Sequence, residues 1–234
     1  MQTSEHPLPD FLADRHSCRA FLTDAVPLTD IQTMLTAARS APSGANLQPG
    51  SFHVFTGQPL QTLTRRLSKI AETTPPEEEL YSYFPRPMSA VLKQRQRAAG
   101  YALYRALGIE KRDIAGRKGQ FAANYRFFDA PVGMVVTIQR DMGAGCYMDL
   151  GMALMNLFLT AGHLGYGCCG IGALANYGRG LHQLLDLPDD QLVVCGIALG
   201  RPDPLAAVNQ FRTDRAALDE FSVLHGFNQG EQGQ

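Results

Sequence analysis

The chain has no tryptophan and few charged residues, 18% against about 25% in an average soluble protein. With 45% apolar residues beside them, that scarcity excludes a disordered or acidic-tail protein. No sign of charge dominates either. The 21 basic and 22 acidic residues leave a net −1, so no global field marks a nucleic-acid or membrane-surface binder. Five cysteines, at 18, 146, 168, 169 and 195, form an odd set with no C-x-x-C pair and no histidine at zinc spacing. Neither a disulfide framework nor a structural metal is expected, and a reducing cytoplasm fits best. The N-terminus, MQTSEHPLPDFLADRHS, lacks the basic and apolar regions of a signal peptide. The most apolar stretch, 152–159, is interrupted by Asn156 and falls short of the ~20 residues of a membrane span.

At about 150 residues per domain, 234 residues make one large domain or two small ones. There is no internal repeat, low-complexity segment or composition shift, so a single domain over 1–234 is the simplest account. TDIQTMLTAARSA predicts a helix with Thr29 as N-cap and Ile31, Met34, Leu35 and Ala38 on one face. SFHVFTG reads as a strand, 60–72 as a helix, TTPPEEE as a turn and 89–105 as a basic helix. Together these suggest a helical excursion over about 75–126. The Val- and Ile-rich runs at 130–138 and 191–200 predict buried strands. Between them 148–164 is apolar nearly all round, a helix buried on more than one face and suited to a dimer interface. The tail at about 202–228 has no clean period and reads as an arm lying over another surface.

Several short patterns carry chemistry. In RHSCRAF an extended backbone would point Arg15, Ser17 and Arg19 the same way, and guanidinium forks match phosphate oxygens. The same pattern also suits a solvated basic stretch. APSGANLQP offers Ser43, Asn46 and Gln48 as uncharged donors and acceptors, with Gly44 allowing close approach to a planar ring; an ordinary turn is the alternative. GYGCCGIGA contains G-x-G-x-x-G at Gly165, Gly167 and Gly170, with Asp189 further on. The preceding residues read as helix rather than strand, which is the wrong context for a dinucleotide fold. A Gly-rich loop whose backbone donors approach a ligand stays open. Arg212 and Arg215 in NQFRTDR either add charge to such a site or face water. P-loop, zincin and α/β-hydrolase motifs are absent.

Charge is uneven along the chain. Residues 86–126 hold ten Lys or Arg against Glu110 and Asp113, a local +8 that leaves the remainder at −9. Such a segment either attracts an anionic molecule or forms a solvated helix face.

Taken in order, RHSCRAF, APSGANLQP, FFDAPVGMVVTI, DLGMALMNLFLTAGHLGYG and LVVCGIALGRPDP resemble the FMN-dependent nitroreductase family over nearly the whole chain. AAGYALYRALGIEKRD and NQFRTDRAALDEFSVLHGF look like its nitrobenzoate-reductase subgroup. The resemblance implies an α+β three-layer sandwich, with a central, mainly antiparallel sheet flanked by helices. It also implies a homodimer with FMN at the interface and a domain-swapped C-terminal arm. Arg15, His16, Ser17 and Arg19, with Arg212 and Arg215, would hold FMN, while Pro42, Ser43, Gly44, Asn46 and Gln48 would come from the other subunit. Gly170, Ile171, Gly172 and Ala173 would run beside the flavin ring, a backbone N–H of Ile171 or Gly172 lying near N5.

Two departures stand out: Gly170 and Ile171 replace a proline and a polar residue, and Gly50 replaces an aromatic whose absence would enlarge the pocket. The implied activity is ping-pong reduction by NADH or NADPH of nitroaromatic or related electron-poor acceptors, with FMN carrying the chemistry. The basic segment, through Arg95 and Arg97, would steer anionic aromatic acceptors. Quinone or enone reduction, reductive dehalogenation and flavin fragmentation on the same fold are the near alternatives. A non-catalytic flavin-binding protein is the distant one, and nucleic-acid binding lacks a recognised module.

Overall fold

The computed structural model describes residues 7–76 and 83–227. The first six residues, the end of the TTPPEEE turn and position 228 of the expected arm lie outside the described residues. Four strands make one antiparallel sheet: β1 (Ser51–Thr56), β2 (Val132–Gln139), β3 (Gly167–Ile171) and β4 (Gln191–Gly200), in the spatial order β1-β2-β4-β3. The two central strands are the Val- and Ile-rich runs, and helices cover both of their faces. Strand alternation sends Val132, Met134, Val136 and Ile138 to one core and Val135 to the other. A register shift after Val136 pairs it with Cys195 and Thr137 with Val193, so Val194 is the extra residue of a bulge.

The first face carries α2 (Leu28–Arg39) and α6 (Ala144–His163), which bury Met34, Leu150 and Leu157 against the sheet. The second carries α3 (Gly57–Thr73) and α7 (Gly178–Leu184), with Leu67, Phe127 and Leu181 at its centre. The result is the expected α+β sandwich of three layers. The basic segment forms α4 (Ala90–Ala106) and α5 (Ile114–Ala122), capped by the Ser89 hydroxyl and the Asp113 carboxylate. Neither helix buries a residue, so both stand off the core.

Three expectations need correction. The α2 helix starts at Leu28 with Pro27 at its N-cap, because the proline ring already fixes a suitable φ; Thr29 lies inside the helix and its carbonyl accepts from the Thr33 hydroxyl at 2.9 Å. The α6 helix begins at Ala144 and reaches 20 residues, long and apolar enough by composition to cross a membrane. Its Leu150, Ala153, Leu157 and Ala161 are buried against the sheet and α2, which makes it a core helix. The third correction concerns GYGCCGIGA, whose centre is strand β3 rather than a loop.

The arm folds back over its own chain. Its last helix, α8 (Leu218–Phe221), places Glu220 3.0 Å from Arg95 of α4. Domain swapping is no feature of the single chain.

One packing device fixes the second layer. Phe127 and Phe128 both have φ of +53° and Asp129 +56°, left-handed values that disfavour residues with side chains. The turn drives the Phe127 ring into a hollow left by two glycines. A Cβ at Gly133 would lie 3.0 Å from the ring, and one at Gly196 3.1 Å. Phe127 is fully buried there. Phe127→Ala should therefore lower unfolding free energy by about 3–5 kcal/mol, and Gly196→Val by about 1–3 kcal/mol through overpacking. Urea denaturation at neutral pH checks both; a loss under about 1 kcal/mol for Phe127→Ala would show that the hollow does not hold the layer.

Candidate active site

Residues 15–21 run extended along the open edge of β3. Ser17 bridges Cys168 in parallel, and the Cys18 N–H donates to the Cys168 carbonyl at 2.9 Å. Phe21 then bridges Pro202, and the Leu22 N–H donates to the Arg201 carbonyl at 2.9 Å. The pairing covers the edge strand and sorts its side chains. Cys18 turns inward, 1% exposed, while Arg15, Ser17 and Arg19 line a cleft on the other side. A Cβ at Gly167 would sit 2.8 Å from the Cys18 Cβ, so this glycine lets the segment lie down on the strand. The G-x-G-x-x-G spacing thus serves strand packing and forms no nucleotide-binding turn.

The cleft has a volume of about 810 Å³. Its walls are Leu12 and Ala13 of α1 (Leu8–Asp14), Ala99, Gly100 and Leu103 of α4, Met155 and Leu159 of α6, and Phe211, Arg212, Thr213 and Arg215 of the arm. Four arginines line it: Arg15, Arg19, Arg212 and Arg215. Among the described residues none of the four forms an ion pair with a carboxylate. Their internal partners are neutral: Arg19 Nη1 donates to the Ser17 carbonyl at 3.4 Å, Arg212 Nη1 to the Asn209 carbonyl at 3.1 Å, and Arg215 Nη1 to the Thr213 hydroxyl at 2.6 Å. His16 adds a further opening for a ligand. Its Nδ1 lies 2.9 Å from the Asp14 carbonyl, while Nε2 is buried without a hydrogen-bond partner.

The α4 helix turns its small and apolar residues, not its cations, toward the cleft. Arg95 pairs with Glu220 and borders the adjoining opening of about 320 Å³, and Arg97 lines neither space. Further along, Arg117 lies 4.9 Å over the Tyr104 ring and Arg126 pairs with Asp129. Positive charge in the cleft comes from the extended segment and the arm, so the expected steering by Arg95 and Arg97 has no geometric basis there.

Gly170 borders a smaller pocket of about 200 Å³ beneath His16 and Ser17. Ile171 is 1% exposed, its side chain packed in the second core. Gly172 and Ala173 open the following 3-10 turn. Tyr83 closes over this turn: a Cβ at Gly172 would lie 2.8 Å from its ring. Sequence reasoning missed Tyr83, Asn209, Met155 and Leu159. The aromatic pair Tyr83 and Phe84, edge to face at 4.8 Å beside a basic helix, was the readable signal for the first.

The loop carrying Pro42, Ser43, Gly44, Asn46 and Gln48 does not reach this cleft. It is mounted on the opposite end of α6, where the Gly44 N–H donates to Asp149 Oδ2 at 3.0 Å. The Ser43 hydroxyl accepts from the Gln48 N–H at 2.9 Å, and Arg39 donates to the Gln48 and Gly50 carbonyls. Gly50 has φ of +93°, and a Cβ there would meet Leu150 at 2.5 Å. A side chain at Gly50 would have to adopt this left-handed backbone and displace the buried Leu150 of α6, and Gly50 lines no part of the same chain's cleft.

The Nitroreductase family model matches residues 12–201. The chain is 35% identical to 4-nitrobenzoate reductase of Pseudomonas putida over 217 residues, 93% of this chain and 95% of that protein. It is 34% identical to chloronitrobenzene nitroreductase of Comamonas testosteroni over 221 residues, 93% of this chain and 96% of that protein. Among solved structures, the FMN- and NADPH-dependent nitroreductase NfnB of Sphigopyxis sp. strain HMH superposes with a TM-score of 0.90. That match has 35% identity and covers 95% of this chain and 100% of the other.

Four of the five cysteines are buried around or behind the site. Burial pushes the Cys18 thiol up to about 11 and the Cys195 thiol up to about 12. Cys168 and Cys169 are raised by the same cause. A proton held more tightly in the folded state stabilises it fully below the ordinary thiol value of about 9 and is lost as pH climbs through the raised values. Urea midpoints should hold steady from about pH 7 to 8.5 and fall from about pH 9 to 11. At about pH 8 a thiol reagent should modify no more than Cys146 in native protein, and all five cysteines after denaturation. Rapid native labelling of a second thiol would contradict this burial.

Proposed function

The chain belongs to the nitroreductase family, and from that premise we propose an FMN-dependent oxidoreductase using NADPH or NADH to reduce nitroaromatic or related electron-poor acceptors. Donor and acceptor use the same space in turn, a ping-pong order. The observation that carries the reading is a cleft lined by four arginines, none of which pairs with a carboxylate among the described residues. The phosphate of FMN fits that charge, and the orphaned His16 Nε2 offers a further polar contact.

In this reading Arg15, Arg19, Arg212 and Arg215 hold the phosphate, with Ser17 adding a hydroxyl donor. By the family resemblance, a backbone N–H of Ile171 or Gly172 would lie near the flavin N5. Bound FMN would supply the centre that accepts hydride from the nicotinamide and passes electrons to the acceptor. The protein contributes a cationic field favouring negative charge on the ring and its acceptor, preorganised before either arrives. Among the described residues no aspartate or glutamate lines the cleft, and in this reading water supplies the acceptor's protons. Against a phosphate of about −2, four guanidiniums leave a surplus of positive charge that suits anionic aromatic acceptors. The relatives named for 4-nitrobenzoate and for chloronitrobenzene support an acceptor class that takes in both charged and neutral nitroaromatics.

The functional unit is a homodimer, and α6 supports it. Asp149, which holds the 41–49 loop, and Leu159, which lines the cleft, stand about 15 Å apart along that helix. Met148, Met152 and Met155 form an exposed apolar stripe along the same helix. A two-fold contact through the stripe carries Pro42, Ser43, Gly44, Asn46 and Gln48 of each chain to the other's cleft. A cytoplasmic enzyme of one domain completes the proposal.

The test is anaerobic spectroscopy of the purified protein. NADPH or NADH should bleach the flavin absorbance, and 4-nitrobenzoate or nitrobenzene should restore it. Arg19→Ala and Arg215→Ala should each weaken FMN binding about tenfold or more. Flavin that binds but resists both nicotinamides would support the non-catalytic alternative. Faster return with a quinone than with any nitroaromatic would move the acceptor class.

A further inference from the structure

Asn209 sits at the root of the arm in the 3-10 turn Ala207–Asn209, and it is 5% exposed. It does not line the cleft, yet it touches both halves of the cleft's charge. Its Oδ1 accepts the Arg19 backbone N–H at 2.9 Å. Its Nδ2 donates to the Ala20 carbonyl at 2.8 Å and to the Asp203 carbonyl at 3.0 Å. Its own carbonyl accepts from Arg212 Nη1 at 3.1 Å. One buried carboxamide therefore joins the extended segment to the arm across 190 positions of sequence. Only a primary amide of this length supplies one acceptor and two donors; an ionised aspartate accepts without donating.

We propose that Asn209 is a positioning residue that sets the spacing between the two halves of the cationic clamp and thereby selects phosphorylated flavin over riboflavin. The inference rests on the FMN reading. Arg19 and Arg212 come from opposite ends of the chain, and a phosphate held by both senses any change in their separation. The flavin ring, carried elsewhere in the site, does not. Loss of Asn209 should therefore act on the phosphate and spare the ring.

The experiment is fluorescence titration of the full chain with FMN and with riboflavin, for the wild type, Asn209→Ala and Asn209→Asp. The wild type should bind FMN at least about 100-fold more tightly than riboflavin, through charge-assisted contacts that riboflavin lacks. Both variants should lose about 30-fold in FMN affinity while riboflavin affinity stays within about twofold. The Asn209→Ala effect should also vanish when Arg19 and Arg212 are both replaced by Met. An unchanged FMN affinity would overturn the proposal. So would parallel losses for the two ligands, or two variants that do not fold, because either result assigns Asn209 to the fold rather than to the clamp. Wild-type protein that takes up no FMN overturns the underlying reading, and that result is seen before any variant is made.

Discussion

The pairing of residues 15–21 with the edge of β3 is the constraint on which the site depends. A single backbone bond from Cys18 to Cys168 fixes the register, and strand alternation then does the sorting. Shifted by one residue, the segment would aim Arg15 and Arg19 at the core and Cys18 at solvent. Gly167 makes the approach feasible, since a side chain there would push Cys18 off the strand. The same edge then accepts the root of the arm through Phe21 and Pro202, so both sources of guanidinium reach the cleft from one ladder.

The α6 helix is the second organising element, and its two ends do different work. Near its start it holds the polar 41–49 loop through Asp149; near its end it lines the cationic cleft through Met155 and Leu159. One face packs into the core and another leaves Met148 and Met152 uncovered. This division explains why a helix of the sheet's main layer stays apolar nearly all round. It also explains why the cleft of one chain lacks the neutral donors that the family resemblance assigns to it.

Much of the fold was legible because periodicity is local. The β2 and β4 strands read directly from their Val- and Ile-rich runs, and α3 and α4 from their apolar spacing. Strand β3 was not legible, because its two glycines carry no strand signal of their own; Gly167 packs tightly against the Cys18 and Pro202 side chains and Gly170 lies against the Phe158 ring. That Arg15, Ser17 and Arg19 line one cleft was readable from their two-residue spacing. Asn209 was not, since its partners lie 190 positions away and no local pattern marks a buried carboxamide. The basic segment misled for a similar reason: charge count along a chain does not say which helix face meets the cleft, and α4 presents Ala99, Gly100 and Leu103.

The central claim is that each flavin site joins the clamp of one chain to the loop of its partner. Mixed-subunit complementation tests it most directly. One chain carries Arg19→Ala and Arg215→Ala, the other Ser43→Ala and Asn46→Ala, and the two are refolded together and separated as the heterodimer by distinct tags. If sites are shared, one of the two is intact, and the heterodimer binds about one FMN with the affinity of the unaltered protein while each parent homodimer binds weakly. A heterodimer no better than its parents, or a monomer that binds FMN at full strength, would contradict the account.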